Sequence, residues 1–360
     1  MRDGLRQTLT AAILCTFFVL GCYGQSCCVI EADPSVQTVS YSSFPVSPGS
    51  VWHHVSGLDY WAVPLSAPTG YYACVDETSP VSLRESLHDL IDDHCVQPYD
   101  RSDSEGEWPL DGDASVDVWD ILALADALPS DPSHVLGLYS NRAFVEQSSG
   151  ASSGDVYDRE HSWPKSYGFK SERTENPAYS DCHHLFAALK SYNSSRGQCP
   201  YATVVSTTYT AKPTEQRLGC GGPDEANHRF TVSIGDSSRC LWETWCARKG
   251  DVARALFYMA IRYEGGNDCT DCEDHFTFEP NLELTDDLRL IATCDDAWLG
   301  GCVAFMGLLS DLLEWHDEDP PDDFERRRNT VVYLFQGNRN PFVDHPEWVD
   351  VIFGAPSSRS

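Results

Sequence analysis

Apolar positions recur along this chain with a helical period in some stretches and an alternating one in others. Leu83 to Ile91 and Val118 to Leu128 read as amphipathic helices, with a polar acidic loop at Asp100–Asp113 between them. Asp251–Tyr263 is a third helix, carrying Val252, Ala255, Leu256 and Met259 on one face and ended by Gly265 and Gly266. Trp298–Trp315 reads as a more apolar helical region belonging to the core. Asp322–Gln336 is expected to be a further helix, with Phe324 and Val331/Val332 apolar and its charge run a solvated face. Tyr201–Thr210 alternates β-branched and aromatic residues, which predicts a strand or extended arm. Pro341 and Pro346 then break the chain into a closing loop.

One stretch carries more than packing information. At 100° per residue, Cys182, Leu185, Phe186 and Leu189 make a single stripe and predict a core-facing helix. Asn193 extends that stripe to within about 20° of Cys182, so its amide would point inward. A buried amide without partners costs ~1–3 kcal/mol, and a metal ion or its water would supply them. The plain alternative is that Asn193 caps the helix end, with Gly197 as a left-handed terminator.

Upstream lies Asp158-Arg159-Glu160-His161-Ser162-Trp163-Pro164. Neighbouring side chains on a strand point to opposite faces, so Glu160 and His161 can serve one site only at a strand end. Pro164 predicts such an end, because it lacks an N–H and forces extended geometry on its predecessor. Together the two segments offer a general base, a carboxylate, an amide and two arginines, an inventory that suits a one-metal phosphodiesterase.

Composition changes this picture in three places. The net charge of −30 argues against a nucleic-acid enzyme, since phosphate contacts supply much of the affinity. Located along the chain, however, the acid lies elsewhere: Tyr157–Arg217 holds eight Lys and Arg against six Asp and Glu. Fifteen cysteines fit an exported, oxidised protein. Leaving out Cys15 and Cys22 makes the count odd, and Cys182 is the expected free, buried thiol. Zinc at Cys269, Cys272, Cys294 and Cys302 is the lesser reading, because the second pair lacks the ligand spacing. His183 and His184 diverge by about 100° on a helix and would not chelate one ion together.

The N-terminus reads as a signal peptide over 1–24: two arginines, then an apolar run from Leu9 to Leu20 too short for the ~20 residues of a membrane span. Cys22 lies in a sequence like a lipobox, so lipid anchoring is the alternative to secreted or periplasmic export. Residues 25–69 form an unassigned lead-in. Asp111–Asp117 imitates a calcium loop but has Val116 at the turn glycine and Leu122 in place of the bidentate Glu. The chain has no internal repeat, Walker-type phosphate loop or HExxH helix.

The segments Val116–Leu122, Asp158–Ser166, Ser180–Leu185, Lys249–Ala255, Asp322–Asn329 and Gln336–Phe342 resemble, in order, those of the bacterial endonuclease I family of secreted nucleases. The resemblance implies a mixed α+β, helix-rich domain over 70–355 that contains a ββα-metal finger. It implies His161 as general base, Glu160 and Asn193 as ligands of Mg²⁺ (Mn²⁺ or Ca²⁺ as alternatives), and Arg173 or Arg196 as the arginine on the transition-state phosphate. Cys182 and His184 depart from the residues often found in the family and receive no catalytic role.

The expected function is thus a secreted, metal-dependent endonuclease acting on DNA and also on RNA, with little sequence preference and as a monomer. Two other readings stand beside it: an extracellular ribonuclease on the same fold, and a non-catalytic, disulfide-rich secreted binding protein.

Overall fold

The computed structural model describes residues 63–92, 94–99, 117–145, 157–170, 176–267, 278–291, 293–294 and 302–354. The segment read as a signal peptide, with Cys22, most of the lead-in, the acidic loop, Arg173, Cys269 and Cys272 lie outside the described residues.

The protein is a mixed α+β fold of helices and several small sheets. Helix α1 (Pro80–Ile91) starts where the Ser79 side chain accepts the Ser82 N–H, with proline at its first position, and it buries Leu83, Leu87 and Ile91. Helix α2 (Val118–Ala125) is fixed by a capping box between Asp117 and Asp120. It ends sooner than expected, because Ala127–Leu128 (β1) turns back to pair with β2 (Asp131–Leu136), which also pairs with β3 (Ala143–Val145).

The helical period read for 182–189 is wrong. Leu185–Leu189 is a strand (β5) antiparallel to β4 (Tyr157–His161). A short apolar run cannot be told from a helix by periodicity when a strand is covered on both faces, and Leu185 to Ala188 are all buried. The helix α4 begins only at Lys190 and runs to Arg196. Two antiparallel strands followed directly by a helix are the ββα arrangement, and β4 ends at His161 as the proline signal required. Between the strands, the short α3 (Pro177–Ser180) is the one helix among the described residues.

Downstream, the extended arm is shorter than its alternation suggested. The backbone N–H groups of Thr203 and Val204 go to the Asp311 and Glu243 carboxylates rather than to a ladder. Regular pairing begins at Tyr209, in the antiparallel sheet of β6 (Tyr209–Pro213), β7 (Ala226–Ile234) and β8 (Ser237–Glu243). Helix α5 (Lys249–Arg262) is buried on all sides and forms the middle of the main core with α1 and α6. Gly265 and Gly266 do not merely end it; they lie in β9 (Glu264–Asn267), which pairs with β10 (Phe278–Leu284).

Where one helical region was read over 298–315, Val303–Met306 forms β11, parallel to β10, and α6 (Leu309–Glu318) follows. Helix α7 (Asp323–Gln336) runs from an Asp322 cap to left-handed Gly337. Its charge run is not simply solvated, since Arg328 is buried and paired with Asp126 at 2.8 Å. The closing loop is instead two short helices, α8 (Pro341–Asp344) and α9 (Glu347–Phe353), because proline suits a helix start as well as a break.

Candidate active site

Four elements meet around the end of β4. Glu160 is 2 % exposed, His161 8 % and Arg196 1 %. Arg196 comes from the last turn of α4 and joins the other two. Its Nη1 donates to Glu160 Oε1 at 3.0 Å and to the His161 carbonyl at 2.9 Å, while Nη2 donates to the Ser162 carbonyl. The guanidinium also lies 4.5 Å from the centre of the Tyr201 ring. Donors aimed at the successive carbonyls of His161 and Ser162 hold the strand end in one conformation.

Glu160 Oε1 also accepts from the Tyr139 hydroxyl at 2.8 Å. Tyr139 and Tyr201 hydroxyls are 2.6 Å apart. The single Tyr139 proton goes to Glu160, so Tyr201 must donate to Tyr139. Glu160 Oε2 makes no hydrogen bond among the described residues. Burial dominates at this carboxyl and pushes its pKa up to about 7 against the opposing pull of Arg196 and Tyr139.

The His161 ring is walled by Tyr99 (stacked, 5.6 Å), Tyr179 (5.1 Å), His184 (5.4 Å) and Phe169 (6.3 Å). Its Nε2 lies 2.9 Å from the Tyr179 carbonyl. A carbonyl only accepts, so Nε2 carries the proton and Nδ1 presents a lone pair. Nδ1 makes no hydrogen bond among the described residues. Burial, with His184 beside it, holds the imidazole well below its usual range, and it is neutral at neutral pH.

Asn193 lies on α4 three residues before Arg196, hence on the same helix face and about 4.5 Å away along the axis. It is half-buried, not fully inward as the longer helix implied, and its side chain makes no hydrogen bond among the described residues. The helix end is closed by backbone: Gly197, at φ 57°, donates to the Asn193 carbonyl. Arg196 thus touches the Glu160 carboxylate and the His161 backbone carbonyl, and Asn193 lies one turn before it on α4. Arg173 lies outside the described residues.

His183 and His184 are anchored as well, and His184 Nδ1 is buried without a hydrogen-bond partner among the described residues. His183 Nε2 and His184 Nε2 donate to the Asn338 and Ala178 carbonyls, and burial lowers both pKa values to about 4. Cys182 is a free, buried thiol, as expected, with burial pushing its pKa well up. Cys294 and Cys302 are joined to each other, and Cys199 to Cys240, which sews the residues after α4 onto β8. Sequence reasoning missed Tyr139, Tyr201 and the Tyr179 carbonyl. Their contacts span 18 to 62 residues, so no local pattern could have announced them.

Can these residues hold a metal ion? Among the described residues no group of three or more His, Cys, Asp or Glu could do so. A carboxylate oxygen and an amide, both without hydrogen-bond partners, fit a hard cation that keeps most of its water. The donor set does not fit zinc.

The family described as Endonuclease I matches residues 83–347. The chain is 33 % identical to the extracellular ribonuclease of Bacillus amyloliquefaciens over 343 residues, covering 95 % of this chain and 97 % of that one. It is 34 % identical to the extracellular ribonuclease of Bacillus subtilis (strain 168) over 293 residues, covering 81 % of each.

Proposed function

Because the chain belongs to the endonuclease I family, we propose that it is an exported endonuclease that hydrolyses phosphodiester bonds, with RNA its main substrate and DNA also cut. The observation that carries the chemistry is the anchored His161: a neutral imidazole whose Nε2–H is spent on a carbonyl and whose Nδ1 is left to accept. Nδ1 takes the proton of the attacking water. A divalent cation, Mg²⁺ first and Mn²⁺ or Ca²⁺ as alternatives, would be held by Glu160 and Asn193 and would supply charge neutralisation at the phosphate.

Arg196 acts as a positioning residue. Its guanidinium is spent on Glu160 and two carbonyls, which leaves Arg173 as the candidate for the phosphate itself. Tyr201 and Tyr139 relay hydrogen bonds that fix Glu160 Oε1 and turn Oε2 toward the ligand.

RNA is placed first because both relatives are named as extracellular ribonucleases. DNA follows because a water nucleophile has no need of the 2′-hydroxyl. Export is supported by the same two names and by the disulfides. Among the described residues no helix is long and apolar enough to cross a membrane.

The test is to incubate purified protein with RNA and with plasmid DNA, each with Mg²⁺ or EDTA, and to analyse the product ends. Cleavage of both, blocked by EDTA and without 2′,3′-cyclic phosphate ends, is expected. Cyclic ends would mean that the 2′-hydroxyl is the nucleophile and would overturn the water mechanism. Calorimetric Mg²⁺ titration of Glu160→Ala and Asn193→Ala tests the ligands; unchanged affinity in the Asn193 variant removes it from the set.

A further inference from the structure

The sheet β6–β7–β8 has one face that is unusual for so acidic a chain. Strand alternation and the pairing register sort its side chains cleanly. Phe230, Val232 and Leu241 lie on the side that packs against Ala202, Val204, Leu288 and Leu308. The opposite side carries Thr210, Lys212, Asn227, Arg229, Thr231, Ser233, Ser238, Cys240 and Trp242. Two of these are cations, four are hydroxyls and none is acidic, although the whole chain carries −30. The acids of this hairpin lie off the face: Glu243 pairs with His228 on the opposite side and Asp236 is in the turn.

This face begins at the site. Its inner end, Trp242 and Asn227, is buried: Trp242 packs on Tyr139 with ring centroids 5.2 Å apart, and Asn227 Nδ2 donates to the Tyr139 carbonyl at 2.7 Å. Tyr139 in turn donates to Glu160. Arg229 is the cross-strand partner of Trp242, exposed and without an ion pair among the described residues. Thr231, Ser233 and Ser238 continue outward, all exposed. At ~3.3 Å per residue, the run from Arg229 to Ser233 is about 13 Å long.

Two further ties keep the face in register with α4. Lys212 Nζ donates to the Ser191 carbonyl at 3.0 Å, and the Cys199–Cys240 disulfide joins the outgoing end of that helix to β8.

We infer that this face is the track on which the sugar-phosphate backbone of the substrate lies beyond the cleaved bond, with Arg229 contacting a phosphate and the hydroxyls donating to neighbouring phosphate oxygens. A cation, hydroxyl donors and no competing carboxylate are what backbone contacts need. The inference rests on the nuclease reading of the adjoining site.

The experiment is fluorescence anisotropy of a labelled RNA oligonucleotide in EDTA, over a salt series, with wild type, Arg229→Ala, Thr231→Glu and Arg289→Ala. Arg289 is exposed and pairs with Asp287, so it serves as the control. Arg229→Ala is expected to weaken binding and to lower the slope of log affinity against log salt by ~0.7–0.9, the loss of one phosphate contact. Thr231→Glu, an exposed site that can take the change without repacking, is expected to weaken binding at least as much. Arg289→Ala keeps the wild-type slope. Wild-type affinity and slope in both sheet variants, with normal circular dichroism, would overturn the track while leaving a binding, cleaving enzyme. A wild type that neither binds nor cuts nucleic acid would instead bring down the nuclease reading, and the track with it.

Discussion

Two buried carboxylates, Asp181 and Glu160, meet opposite surroundings. Both oxygens of Asp181 are taken: Tyr258 and Tyr263 hydroxyls donate to Oδ2 at 2.7 and 2.8 Å, and Gln336 Nε2 and the His183 N–H donate to Oδ1 at 3.0 and 2.9 Å. Burial alone would raise this carboxyl, but His94, His183, His184 and Gln336 outweigh it and hold it well below the usual range. Above about pH 4 the three histidines are neutral, so at working pH the four donors do the holding. Glu160 has donors on one oxygen only, and burial wins there. A saturated carboxylate ties segments distant in sequence into a core. An unsaturated one has capacity left for a ligand. Asp181 belongs to the scaffold, and in the proposed function Glu160 belongs to the chemistry.

The largest expected effect lies on the open side. His161→Ala should lower kcat on the order of 10³-fold, about 4 kcal/mol, with little change in stability or RNA affinity. Steady-state cleavage beside a urea titration checks it; activity within a few-fold of wild type would force a search for another base. Next comes the tie between the two regions. Replacing Cys199 and Cys240 together by serine should cost ~2–4 kcal/mol of stability and loosen α4 against β8, so that activity falls before global unfolding. Thiol reductant followed by its removal should reproduce that loss and recovery.

Hydroxyl deletions compare the carboxylates directly. Tyr258→Phe removes a bond to an ionised acceptor and should cost ~1.5–3 kcal/mol, whereas Tyr139→Phe should cost only ~0.5–1.5 kcal/mol. Equal losses in denaturation would erase the contrast. The smallest effect is a pH slope. A depressed carboxyl stabilises above its unfolded pKa of about 3.9 and loses that contribution as pH falls through its folded value. The stability gap between wild type and Asp181→Asn should therefore stay constant above about pH 5. Below pH ~4 it should close by at most ~1.4 kcal/mol per pH unit. Closure already under way at pH 6 would contradict the assignment.

Much of this contrast could not be read in advance. Helices α1, α5 and α7 were legible from the helical period of their apolar positions, and the caps of α1 at Ser79 and of α7 at Asp322 agree with it. Strand β5 was not, because a sequence buried on both faces loses the alternation that marks a strand. The strand end at Glu160 and His161 was legible, since Pro164 required one nearby, whereas Arg196 was named only beside Arg173. Their division of labour was not: Arg196 is a buried clamp only because Tyr201 and two carbonyls enclose it. The Asp181 hub drew on Tyr258, Tyr263 and Gln336, 77 to 155 residues away, and distances of that kind leave no periodic trace.

The division between the two carboxylates is tested most directly by measuring Glu160→Gln and Asp181→Asn side by side, for cleavage rate and for unfolding free energy in urea. Glu160→Gln is expected to stay within about 1.5 kcal/mol of wild type while losing ~10²-fold or more in activity. Asp181→Asn is expected to lose about 3 kcal/mol or more while its folded fraction still cleaves. A Glu160→Gln protein that unfolds as readily as Asp181→Asn, or an Asp181→Asn protein as stable as wild type but inactive, would contradict it.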